Sequence, residues 1–137
     1  AMESARKSAA RRRQSSSPAT SASVRQRVGR ADATAEAARL LVEDAARQVD
    51  ERPGDPETNR AIYRAKLIAG DAAFTVAAHL TEACGLAALS RGSVLERLLR
   101  DARSGAVMPP ASDVAADVLG AAALGVDPGT QLGTRPW

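Results

Sequence analysis

The side chains with chemical reach are few and scattered. His79 is the only histidine, Cys84 is the only cysteine, and Glu82 lies between them. One imidazole and one thiol supply neither the ligand set of a structural zinc site nor a nucleophile, base and orienting acid. No second thiol exists for an intrachain disulfide. His79, on an apolar stretch of helical spacing, reads as a satisfied core or interface residue, and no metal ligands are assigned. Neither G-x-G-x-x-G nor G-x-x-x-x-G-K-[ST] occurs, so no glycine-rich phosphate cradle is encoded. Arg11-Arg12-Arg13, followed by Gln14-Ser15-Ser16-Ser17-Pro18, is the one dense charge run. It reads as a nucleic-acid-binding arm, an anion contact, or a solvated helix end where three cations suit the macrodipole.

The charge is unevenly spread. Residues 1–30 hold eight Arg/Lys against one acid, while the rest holds eleven against fifteen, for a net charge of +3. The basic segment can neutralise phosphates, but residues 6–30 contain no aromatic to stack on bases and no helix-turn-helix reading frame. Specific nucleic-acid binding is therefore not expected.

The elements that position these residues follow from periodicity and punctuation. Residues 3–14 read as the end of a helix, and Ser15–Ser23 as a polar loop. A long helix is predicted from about Ser23 to Glu51, with Val24, Val28, Ala31, Ala35, Ala38, Leu41, Val42, Ala45 and Val49 in one stripe facing a core. Arg52-Pro53-Gly54 ends it. Asp55 caps and Pro56 opens the next helix, which runs to Cys84, where Gly85 suits the left-handed C′ position. Its apolar residues lie on two faces: Ile62, Ala65, Ala69, Ala72, Val76, Leu80 and Ala83 on one, Tyr63, Leu67, Phe74 and Ala77 on the other. This predicts a central helix. Ser93-Val94-Leu95-Glu96 reads as a capping box before a short helix to Arg103. Pro109 and Pro110 break the chain, Ser112 caps a last helix to about Leu124, Gly125 ends it, and residues 126–137 form an irregular tail.

At 137 residues the chain is expected to be a single domain. Tyr63, Phe74 and Trp137 are the only aromatics, and β-branched residues do not alternate, so strands have little to be built from and the class is all-α. A core rich in alanine gains little per residue, which predicts further burial through self-association. There is no signal-peptide pattern and no uninterrupted apolar run of 18 residues, so no membrane association is expected; the lone cysteine fits a reducing cytoplasm. Ala1 ahead of Met2 reads as an addition, leaving Met2 as a start or an internal boundary.

The run Leu95-Glu96-Arg97-Leu98-Leu99-Arg100-Asp101-Ala102-Arg103 resembles V-E-R-L-Y-R-D-A-R near the C-terminus of acyl-CoA dehydrogenases. Arg97, Arg100, Asp101 and Arg103 resemble family positions that tie the short helix to its neighbours, and they are read as structural ion pairs. The resemblance covers essentially the whole chain and implies the family's C-terminal helical domain, an up-and-down four-helix bundle, here with a short extra helix. In the family this domain follows a helical domain and a β-domain, forms the tetramer core and reaches the FAD of a neighbouring subunit. Arg13-Gln14-Ser15-Ser16-Ser17-Pro18 is similar to R-Q-F-G-x-P, keeping arginine, glutamine and proline while losing the aromatic and the glycine. Glu82-Ala83-Cys84-Gly85-Leu86-Ala87-Ala88-Leu89 stands at Q-x-x-G-G-x-G-Y and keeps one glycine. Met108-Pro109-Pro110-Ala111-Ser112-Asp113-Val114 stands at Y-E-G-T-S-E-I, with Pro109 on the glutamate that removes the substrate's α-proton. The resemblance thus implies flavin contacts at Arg13, Gln14 and Gly85, no catalytic residue, and FAD held with the help of other domains or a partner flavoprotein subunit. Self-association without catalysis, as a helical oligomerisation module, is the other reading.

Overall fold

A computed structural model describes residues 21–126, in which every regular element is helical. The helix expected over residues 3–14, with Arg13 and Gln14, and the tail from residue 127 onward lie outside the described residues. Helix α1 spans Ala22–Glu51 and α2 spans Pro56–Cys84. A 3-10 turn, Gly85–Leu89, leads to α3, Val94–Ala102, the single turn α4, Ser104–Val107, and α5, Ser112–Leu124. Counting α3 and α4 as one broken segment, the all-α bundle has four helices among the described residues.

The α1–α2 hairpin is set by local chemistry. Gly54 takes φ +78° in the turn, and the Asp55 carboxylate accepts from the Glu57 amide at 2.8 Å and the Thr58 amide at 3.4 Å. Pro56 sits in the first turn, where its missing N–H is no loss. So short a connection makes the helices antiparallel neighbours. Ala31, Ala38 and Ala45 recur every seven residues on α1 and are buried, as are Ala61, Ala65 and Ala72 on α2. Ala45, Ala61 and Ala65 form one cluster at the closed end of the hairpin. Seven-residue spacing keeps this seam on one face while the helices wind gently about each other.

Half of the predicted α1 stripe is outside that seam. Val28, Leu41, Val42 and Val49 are 37–46% exposed, because the buried alanines allow close approach while α1 packs on α2 alone among the described elements. Helix α2 is central as predicted, touching α1, the 3-10 turn, α3, α4 and α5. By length and composition Pro56–Leu89 would span a membrane, yet Asp71 and Glu82 interrupt it and all the other described helices pack against it.

Three end signals differ from expectation. Gly85 has positive φ (69°), but with ψ −160° it is not left-handed helical, and the chain continues into the 3-10 turn instead of a loop. Ser93 is the N-cap of α3 without a side-chain capping bond; Glu96 lies 3.9 Å from Arg100, one turn further on. Ala111, not Ser112, is the N-cap of α5, and the Ser112 hydroxyl is turned inward and buried without a partner. Gly125 closes α5 in the left-handed conformation, as predicted.

Candidate functional site

The segment at Met108–Val114 is held from beneath by α2. Gly70 on α2 and Gly105 on α4 meet backbone to backbone: a Cβ on Gly70 would lie 3.5 Å from the Gly105 carbonyl oxygen and 3.8 Å from Ser112 Oγ. The Lys66 ammonium donates to the Gly105 carbonyl. These contacts fix where α4 ends and α5 begins. Between them Met108, Pro109 and Pro110 are exposed, so position 109 offers solvent a pyrrolidine ring that cannot accept a proton. The nearest carboxylate in sequence, Asp113, accepts from the Val114 amide at 2.9 Å and serves the first turn of α5, where an acid is favourable in any case.

The segment at Glu82–Leu89 ends α2. Gly85 is exposed, and Leu86 stands 84% exposed. A side chain of that size blocks the backbone approach that a glycine there would allow. Glu82 is bonded to Arg27 of α1 at 3.0 Å, so its charge is balanced by a cation 55 residues earlier in the chain. Sequence reading missed Arg27. Its signal is the antiparallel register, which brings the start of α1 level with the end of α2.

The remaining residues with chemical potential do not converge. His79 is half-buried, Cys84 is an exposed free thiol, and no group of three His, Cys, Asp or Glu able to hold a metal occurs among the described residues. Arg100 pairs with Asp101 at 3.1 Å, but both lie on α3 and are exposed, so this pair does not tie the short helix to a neighbour. Arg103 instead lies over the Phe74 ring, 3.6 Å from its centroid, a cation–π contact that ties the end of α3 to α2.

An apolar groove of about 660 Å³ lies between α1, α2 and α4, lined among others by Val42, Val49, Ile62, Ala65 and Gly70. Its one charged lining residue, Lys66, is engaged by the Gly105 carbonyl. The groove has the size of a ligand site but no convergent polar groups to orient a ligand. Nor do the described residues fit a flavin by themselves. Glu82–Leu89, the segment that the resemblance sets beside the cofactor, presents an acid and an exposed leucine, which offer a phosphate-bearing ligand neither donors nor clearance.

Comparison with curated proteins and with solved structures found no match. A family model, described as acyl-CoA dehydrogenase, C-terminal domain, matches residues 1–124. Nearly the whole chain is therefore covered, including the described helices and the segments at 82–89 and 108–114, and the chain belongs to the acyl-CoA dehydrogenase family as its C-terminal helical domain.

Proposed function

We propose that this chain is the C-terminal helical part of an FAD-dependent oxidoreductase, that it mediates self-association, and that it does not catalyse acyl-CoA dehydrogenation alone. The observation that carries the reading is the composition of the interior. Every buried apolar residue among those described is alanine, ten in all, whereas fifteen larger Leu, Ile, Val and Met side chains are exposed. A soluble helical unit normally hides such side chains, and apolar surface left open on this scale marks an interface.

Lack of catalysis follows from missing parts. Removal of an α-proton needs a base within hydrogen-bond reach of the substrate, and position 109 holds proline. Flavin bound by the assembled protein would be held mainly by other domains or a partner flavoprotein subunit. Arg13 and Gln14 would contribute across the interface, Arg13 through charge-assisted bonds to an anionic group, and Gly85 at the end of α2. A cytoplasmic location fits the single exposed thiol.

The purified chain should scatter light as a dimer or tetramer at tens of micromolar and should be colourless. It should not reduce an electron acceptor when given acyl-CoA. In the assembled complex, Arg13→Ala should lower flavin content. A monomer with a cooperative thermal transition would overturn the self-association reading, and a yellow, active isolated chain would overturn the dependence on other parts. Unchanged flavin content in Arg13→Ala would remove Arg13 from the site. Association without flavin in any assembly would favour a non-catalytic oligomerisation module.

A further inference from the structure

We propose that residues 127–137 return to their own chain and seat the Trp137 indole in the groove between the start of α2 and the end of α5. This contact is independent of the self-association and flavin readings above. The family match covers residues 1–124, and the segment follows it, so the shared domain does not account for its side chains. Where α5 ends beside the first turns of α2, Asn59, Arg60, Tyr63, Val118 and Ala122 line a groove of about 450 Å³. Val126, the last described residue, lines it too. A second concavity of about 440 Å³ shares Arg60 and Ala122 with it and extends it towards Leu119. Val126 stays 56% exposed, so among the described residues these apolar walls are open to water.

The end of α5 starts the segment at the groove. The Gly125 amide donates to the Ala122 carbonyl at 3.3 Å and the Val126 amide to the Ala121 carbonyl at 3.0 Å. This paired closure lays the residue after the glycine back against the last helical turn. Asp127-Pro128-Gly129-Thr130 follows, with proline and glycine at the two central positions that a type II turn favours. Residues 127–137 number eleven, within the range of about 6–16 for compact loops whose two ends lie close together. Their large apolar side chains are Leu132 and Trp137, and the indole is the one that suits the groove's chemistry. An aromatic of this size buries about 150–250 Å² and keeps a polar edge that needs a partner. The exposed Asn59 side chain at the rim offers an acceptor, and half-buried Tyr63 offers an aromatic neighbour. Arg60 uses its edge on Glu57, donating from Nε at 2.7 Å, which leaves the flat face of its guanidinium available to stack on a ring.

The chain has one tryptophan and one tyrosine, so the fluorescence of the full chain reads the contact without labels. Trp137 emission should be blue-shifted, and its quenching by acrylamide several-fold weaker than in denaturant, unchanged on dilution to submicromolar protein. Tyr63 emission should be depressed by energy transfer to the indole and should recover in Trp137→Ala. Ala122→Glu, at an exposed helix position inside the groove, should return quenching to the denatured value at unchanged helix content by circular dichroism. Gly120→Glu, on the opposite side of α5 with open space around it, should not. Loss of the stacked cation in Arg60→Ala should raise the quenchable fraction about two- to fivefold. Three results would overturn the proposal. An indole quenched as freely in the folded chain as in denaturant has no seat. Protection that survives Ala122→Glu puts the seat elsewhere, and protection lost on dilution puts it in a second copy.

Discussion

Proline at position 109 has no side-chain proton acceptor, and a single replacement would supply only one of the parts that proton abstraction and hydride transfer need. Pro109→Glu should leave the isolated chain unable to reduce an electron acceptor with acyl-CoA, because hydride transfer still lacks a flavin held against the substrate. The glycines offer cleaner tests of local physics. At Gly85, with φ +69°, nothing lies within 4 Å of an added Cβ. Gly85→Ala should therefore cost about 1–3 kcal/mol through backbone strain alone, because φ +69° with ψ −160° is a region that essentially only glycine adopts. Gly29 has the same open space but lies inside α1 with helical φ, so Gly29→Ala should stabilise by about 0.5–1 kcal/mol. Chemical denaturation reads both, and their opposite signs isolate the conformational contribution. End signals were only partly legible at this scale. Asp55, Gly54 and Gly125 act as their types dictate. Ser93 and Ser112 do not, because Arg100 draws Glu96 away from the first and the Gly70–Gly105 contact draws the second inward.

Helix positions were readable from periodicity, since the ends of α1, α2 and α5 are written in Pro, Gly and Asp. Which apolar residues would be covered was not. Period alone cannot separate Ala38, buried on the seam, from Val42, 46% exposed beside it; the difference arises from how closely α2 approaches and from α1 having no other described neighbour. The one-turn α4 and the 3-10 turn escaped because segments so short carry no period. The same distinction predicts mutational behaviour. Ala38→Leu should wedge α1 from α2 and destabilise by about 1–3 kcal/mol. Val49→Ala should change the stability of the single chain by about 0.5 kcal/mol or less, as expected for a surface position. Thermal melts of dilute protein compare the two directly.

Across the whole molecule the exposed faces of the hairpin carry a ladder of ion pairs. Arg39 bridges Glu36 and Glu43, Arg47 bridges Asp44 and Glu51, and Glu57 accepts from both Arg60 and Arg64. Hydrogen bonds from Arg39 hold the Glu36 carboxyl below the ordinary 4.5, and those from Arg64 and Arg60 do the same for Glu57. Gln48 and Arg47 hold Asp44 below 3.8. Each carboxylate is thus harder to protonate folded than unfolded, so its contribution is complete above those ordinary values and fades as pH falls through the lower folded ones. The melting temperature should decline on acidification from about pH 5 to about pH 3. Because the pairs are solvent-exposed, the decline should be modest and smaller still in high salt. Glu57→Gln should flatten it. Circular dichroism melts across pH check both statements.

An interior lined with methyl groups also sets how the molecule responds to temperature. Heat capacity rises on unfolding by about 0.45 cal/mol/K for each Å² of apolar surface exposed, and ten buried alanines supply little of it. Where copies of the chain cover one another's leucines and valines, much of the increment belongs to the contact between them. Calorimetry should then find a larger increment per chain for the assembled form than for the diluted one. Since apolar association weakens as water is cooled, the assembly should loosen in the cold before its helices do.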